Sequence, residues 1–187
     1  MIGIIVQIVP ALLVFIGLIL TFIQLVKNNK LRKQDFYTKL ELASIDLFKL
    51  EIENPELIKL FEENIEEEDL SDIENYRLEE FAASLLNLFE IHYRLRKTND
   101  IDPVIFASWI PWIYEASLGK YFREIWKDSR FNYDPNFREF LNCLIEIIEN
   151  PDIENKEDKF YEKASQLIGC SVIRDWKKEP KKSVRNR

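Results

Sequence analysis

Glycine, histidine and cysteine are scarce in this chain of 187 residues, and each shortage removes a class of chemistry. Gly3, Gly17, Gly119 and Gly169, the four glycines, lie so far apart that neither a Walker loop nor a dinucleotide-binding Gly-x-Gly-x-x-Gly can be written. A single histidine, His92, and two cysteines, Cys143 and Cys170, cannot build the usual zinc or thiol sites. Neither a nucleophile elbow nor a His-Asp or Cys-His pairing stands out. An enzyme is therefore not the expected class, and no catalytic, cofactor-binding or metal-ligating residue can be named. The cysteines are 27 residues apart with no partner pattern, which fits a reducing compartment.

Charge is the other thing missing, and only from one place. From Met1 to Val26 no charged side chain occurs. Such a run reaches about 39 Å as a helix, longer than the roughly 30 Å hydrocarbon layer of a bilayer, and so predicts a transmembrane helix over 1–26. A cleavable signal would carry a basic start, a shorter apolar stretch and small residues before a cut, none of which is present. Lys27, Lys30, Arg32 and Lys33 follow immediately, with no basic side chain on the other flank. The positive-inside bias places the N-terminus outside and residues 27–187 in the cytoplasm, on an inner-membrane anchor. The same four cations suit anionic lipid headgroups.

Spacing inside the run is one-sided. Alternating steps of four and three pick out Gly3, Gln7, Pro10, Val14, Gly17, Thr21 and Gln24, six of which are small, polar or proline. Every other position from Ile2 to Val26 is Ile, Val, Leu or Phe, apart from Ala11. Apolar burial cannot drive association among lipid tails, whereas small residues permit close approach and amides or hydroxyls bond across helices. The seam predicts a homo-oligomer. Two arrangements satisfy it: a packed bundle with Gln7, Thr21 and Gln24 bonded between copies, or a ring lining a pore with Val14 as a hydrophobic constriction.

The remainder reads as all-helical, since no sustained alternation of the kind strands need occurs. A stalk over 27–53 continues the helix, with its likeliest break at Asn28-Asn29 and an apolar stripe at Phe36, Leu40, Ala43, Leu47 and Leu50. A cytoplasmic domain of about five to six helices is expected over 54–169. Asn54-Pro55-Glu56 reads as a capped helix start, leading to Leu57, Leu60, Phe61 and Ile65. Ser71-Asp72-Ile73-Glu74 has the form of a capping box and opens a long helix to about Lys97, the candidate for the central buried one. Ile73, Tyr76, Phe81, Leu85, Leu88, His92 and Leu95 share one side of it. Asp102-Pro103 and Asp134-Pro135 start further helices, Pro111 kinks or divides the first of these, and Gly169 stops the last.

Charge beyond the anchor is uneven. Residues 34–80 carry sixteen acidic and four basic side chains, whereas 176–187 carry six basic and one acidic. The segment 170–187 is expected as a basic tail, in which Trp176 precedes Lys177, Lys178, Lys181, Lys182, Arg185 and Arg187. It could remain solvated, fold back onto the membrane, or meet a nucleotide or nucleic acid. Glu90 and His92 are two residues apart, the wrong offset for two ligands on one metal, so His92 reads as a buried or helix-end histidine. Arg94, Arg96 and Lys97 complement the dipole of a helix C-terminus. Trp109, Trp112 and Trp126 read as core, because net-acidic surroundings repel phosphates.

From Asn54 to Cys143 the chain resembles a broad, mostly bacterial group of uncharacterised proteins. The matching residues are Asn54-Pro55-Glu56-Leu57; Phe89, Glu90 and Tyr93; Trp109 and Trp112; and Trp126, Arg130, Phe137 and Phe140 around Tyr133-Asp134-Pro135. The resemblance implies one N-terminal membrane helix, a stalk and a small cytoplasmic helical domain. Some proteins of this build are membrane effectors in antiviral defence, paired with a sensor that produces a nucleotide or nucleic acid. A regulator of that kind, or a protein partner, is the expected input, and no cofactor is expected.

Overall fold

The computed structural model describes residues 2–64, 70–176 and 178, with side chains from residue 15 onward. Among the described residues every regular element is helical. Two compact units separate, residues 1–41 and residues 42–187. Helix α1 (Ile2–Glu53) passes through Asn28-Asn29 without interruption. Two modest helix formers cost only a few tenths of a kcal/mol each, too little to end a helix by themselves.

In the second unit, the last part of α1 leads into a short 3-10 helix, Pro55–Phe61. Asn54 makes no side-chain bond to this helix; its Nδ2 instead donates to the Leu50 carbonyl at 2.9 Å and closes the end of α1. The helix start falls where expected, with Asn54 at the N-cap, Pro55 leading and Glu56 in the first turn, but the helix is 3-10 and the Asn54 side chain closes α1 instead of capping it. Leu57 and Leu60 are buried there, while Ile65 lies outside the described residues. Within α1 the inward line after Leu40 is Ser44, Leu47 and Glu51, one position displaced from the expected Ala43 and Leu50, which are exposed. Phe48 nevertheless stacks on Trp112, with ring centroids 4.8 Å apart.

Helix α2 (Asp72–Lys97) is the centre of this unit. Its capping box forms as expected: Ser71 Oγ accepts from the Glu74 amide at 3.3 Å, and Glu74 Oε2 accepts from the Ser71 amide at 3.0 Å. The Ser71 hydroxyl and amide, followed by Lys59, hold the Glu74 carboxyl at about 2. Two ion pairs, Lys59–Glu74 at 2.9 Å and Arg77–Glu56 at 2.6 Å, tie the 3-10 helix to α2. Phe81, Leu85, Leu88 and His92 are buried, as are Leu78, Ala82, Leu86, Phe89 and Tyr93 on adjoining sides. Ile73 and Tyr76 are exposed, because they lie on the outward face of α2 with Arg77 and Glu80, while Glu74, Asn75 and Leu78 face inward.

The chain then forms α3 (Pro103–Ala107), α4 (Ile110–Leu118) and α5 (Lys120–Ser129). A single 3-10 turn, Arg130–Asn132, precedes α6 (Pro135–Glu149), which is followed by α7 (Lys156–Ile168) and α8 (Ser171–Asp175). More helices appear than the five to six expected, since the 103–118 segment splits ahead of Pro111 and α8 is added after Gly169. Asp102 and Asp134 both cap as anticipated, accepting from the amides of Val104 and of Asn136 and Phe137. Helix α7 packs between α6 and α8, and α8 also touches α3. Ile173 is fully buried and Cys170 nearly so, which places the start of the expected tail inside the packed unit.

Gly119 explains how α4 turns into α5 against the 3-10 helix. A Cβ at this position would lie 1.9 Å from the Leu60 carbonyl oxygen, so no larger residue fits. The Lys120 amide donates to the Glu62 carbonyl at 3.1 Å and seals the same approach. Gly169 serves differently: its φ of +68° is the left-handed stop of α7.

Candidate functional site

The strongest functional signal in the sequence falls in the first unit. From Phe15 to Val26 every side chain is exposed, on all sides of the helix, with Ile19 at 44% and Phe22 at 67%. Apart from Gly17, Thr21 and Gln24, these side chains are all apolar. Among the described residues no helix is long and apolar enough to cross a membrane. The described side chains begin only at Phe15, and those of Gln7, Pro10 and Val14 lie outside the described residues.

Gly17, Thr21 and Gln24, the seam residues within reach, are exposed. Thr21 Oγ1 donates to the Gly17 carbonyl at 2.8 Å, one turn back. This bond satisfies the hydroxyl proton inside its own helix and leaves the oxygen lone pairs for a neighbour. A Cβ added to Gly17 would meet nothing within 4 Å, so the notch there is open. Lys27, Lys30, Arg32 and Lys33 are also exposed.

Most of the polar groups that the sequence singles out in the second unit serve packing. His92 Nδ1 lies 3.0 Å from the Leu88 carbonyl. Because a carbonyl only accepts, Nδ1 carries the proton and Nε2 the lone pair. Trp109 covers the imidazole with ring centroids 3.5 Å apart, and the residue is wholly buried. Nε2 has no hydrogen-bond partner among the described residues. Burial pushes the imidazole down to about 4, against a smaller opposing effect of the Leu88 carbonyl.

Glu90, two residues before His92, accepts from the Asp134 amide at 2.8 Å and so ties α2 to the start of α6. Arg96 donates to Asn99 Oδ1 at 3.0 Å, and Lys97 lies 3.4 Å from the Leu167 carbonyl and 5.8 Å from the Tyr93 ring centroid. Trp109 and Trp126 are buried, and Trp126 Nε1 donates to Asn142 Oδ1 at 2.8 Å. Trp112 sits between Phe48 and Phe89. No tryptophan of this trio offers a stacking platform. Among the described residues no three His, Cys, Asp or Glu side chains gather as a metal site. Of the expected basic tail, residues 170–176 and 178 are described, and Lys178 pairs with Asp175. The remaining cations of 177–187 lie outside the described residues.

One concave feature was not legible in the sequence. Pro111, Tyr114 and Glu115 of α4, Glu157 and Tyr161 of α7, and Trp176 after α8 line a cleft of about 480 Å³. A smaller cleft of about 280 Å³ shares Tyr114 and Leu118 with it and contains Arg123 and Lys156. Helical spacing alone puts Pro111, Tyr114 and Glu115 on one face, but nothing in the sequence says that α7 and Trp176 oppose them.

No protein-family model, no curated protein and no solved structure matches the chain.

Proposed function

We propose that the protein is a homo-oligomeric, single-pass membrane effector whose cytoplasmic helical domain controls a bundle of transmembrane helices. Residues 1–26 form the anchor, with the N-terminus outside, and Lys27, Lys30, Arg32 and Lys33 rest on the headgroups of the inner leaflet. The observation that carries this reading is the run of exposed apolar side chains from Phe15 to Val26, broken only on the face of Gly17, Thr21 and Gln24 and directly followed by those cations. It continues an uncharged stretch that begins at Met1. Oligomerisation rests on the seam, in which Gly17, Thr21 and Gln24 stand among large aliphatics and phenylalanines. In the active form the bundle conducts ions, with Gln7, Thr21 and Gln24 wetted and Val14 as the constriction; the setting in antiviral defence comes from the resemblance.

Alkaline carbonate extraction of cell membranes tests the anchor: the chain stays with the membrane fraction, and release into the supernatant overturns the reading. Purified protein in planar bilayers tests the bundle, where it passes ions and Val14→Ala raises the leak.

A second reading, a passive anchored scaffold that docks a protein partner, is favoured by a different observation. In the second unit Leu42, Ile45 and Ile52 of α1 are exposed on the side of the helix opposite Ser44, Leu47 and Glu51. Silent bilayers together with stable membrane retention select this scaffold.

A further inference from the structure

The alternating steps of four and three that pick out Gly17, Thr21 and Gln24 do not end there. Helix α1 runs unbroken to Glu53, and the same steps taken onward from Gln24 reach Leu31, Leu42, Ile45 and Ile52. Residues in this repeat keep to one stripe of a left-handed supercoil. All four are exposed, from 43% at Ile45 to 78% at Ile52. Leu42, Ile45 and Ile52 belong to the second unit, where the opposite side of α1 turns inward through Ser44, Leu47 and Glu51. Phe48 and Leu50, also exposed, lie off the stripe and are engaged within the chain: Phe48 stacks on Trp112, and Leu50 shares a cleft with Leu57 and Phe81.

Charge decides what can lie on this stripe. Residues 34–53 carry five acidic and two basic side chains. The stripe holds one of each, Asp35 and Lys49, and both are paired within their own helix, Asp35 with Lys39 at 2.7 Å and Lys49 with Asp46 at 3.2 Å. It is therefore the neutral face of an acidic segment. Two copies of such a segment repel across the faces that bear Glu41, Glu51 and Glu53, and approach at least cost along this one. A few polar residues in a coiled-coil seam, here Asn28, Asp35, Thr38 and Lys49, fix register and copy number while lowering stability.

We propose that the last turns of α1 dock on a second copy of this chain, parallel and in register, through Leu42, Ile45 and Ile52. Docking here rests on the membrane reading above. Chains anchored in one bilayer by their N-termini leave it side by side and pointing the same way. Copies joined at Gly17, Thr21 and Gln24 then hold Leu42, Ile45 and Ile52 of each at high effective concentration, so that a weak seam suffices.

Single cysteines at Leu42 and Ile45 on the stripe, and at Ala43 and Leu50 off it, placed in the otherwise native full chain and oxidised in isolated membranes, test the docking. The native chain, with half-buried Cys143 and buried Cys170, sets the background. Leu42→Cys and Ile45→Cys are expected to give about fivefold or more disulfide-linked dimer than Ala43→Cys and Leu50→Cys, because a disulfide needs Cα atoms within about 7 Å. Leu42→Ser combined with Ile45→Ser alters side chains that the chain itself leaves exposed, so helix content stays the same while self-association in maltoside micelles weakens by about tenfold or more. Equal crosslinking at the four positions, products at 42 and 45 whose mass shows a different protein on the face, or unchanged self-association of the serine variant would each overturn the proposal. Dimers that persist at Thr21→Cys would then show that the anchors meet while the stalks do not; loss of those dimers as well would overturn the membrane seam along with it.

Discussion

The Glu90 carboxylate accepts a hydrogen bond from the backbone amide of Asp134 at 2.8 Å, joining the centre of α2 to the residue that caps α6. Asp134 itself accepts from the amides of Asn136 and Phe137 at 2.8 and 3.3 Å. Two carboxylates in succession therefore satisfy the amides at the entry to α6, which is where negative charge complements the helix dipole. Tyr133 is buried beside them, and its hydroxyl is raised first by burial and then by the Glu90 charge.

Removing the Glu90 acceptor should cost more than removing its charge. Glu90→Ala leaves a part-buried amide unpaired and is expected to destabilise the fold by about 1–3 kcal/mol. Glu90→Gln keeps an acceptor oxygen and is expected to cost less than half as much. Thermal melting of the two variants in the same micelles checks the order.

The two glycines with defined tasks separate steric space from backbone conformation. Gly119 has an ordinary φ of −61° but no room for a Cβ against Leu60, so Gly119→Ala must displace backbone and is expected to cost about 2–3 kcal/mol. Gly169→Ala has open space yet must hold φ at +68°, a penalty of about 1–2 kcal/mol. A Gly169→Ala variant clearly less stable than Gly119→Ala would contradict the close approach of α4 and α5 to the 3-10 helix.

His92 makes stability depend on pH in a definite window. Its folded pKa, about 4, lies below the ordinary value of 6.5, so between these values the unfolded chain binds a proton that the folded chain does not. Stability is expected to fall as pH drops from about 6.5 to about 4, by up to about 3 kcal/mol, and this contribution levels off below that range. Melting temperature across pH 7 to 4, compared with a His92→Gln variant whose slope is smaller there, measures the effect.

Local signals in the sequence proved specific where one side chain answers one backbone group. Ser71 with Glu74, Asp102 with Pro103, Asp134 with Pro135, and Gly169 each specify a helix end by chemistry confined to four residues or fewer. Asn54 marks the helix start correctly, but its amide donates as readily as it accepts, and it bonds the Leu50 carbonyl behind it instead of capping the helix ahead. Ile73 and Tyr76 are apolar positions on a face that the first turns of α2 turn outward, beside Arg77 and Glu80, and apolar spacing alone does not separate them from the buried line through Leu78. The aromatic cleft was illegible for a further reason. Tyr114 and Tyr161 lie on helices that only the chain's path from α4 to α7 brings together.

The central claim is that copies meet along the face bearing Gly17, Thr21 and Gln24. Single cysteines at Thr21, Gln24, Ile19 and Val26, in a chain whose Cys143 and Cys170 are replaced, can be oxidised in native membranes and followed as disulfide-linked dimers. The account predicts strong crosslinking at Thr21→Cys and Gln24→Cys, and little at Ile19→Cys and Val26→Cys on the opposite side. Equal crosslinking at all four positions, or crosslinking confined to positions 19 and 26, would contradict it.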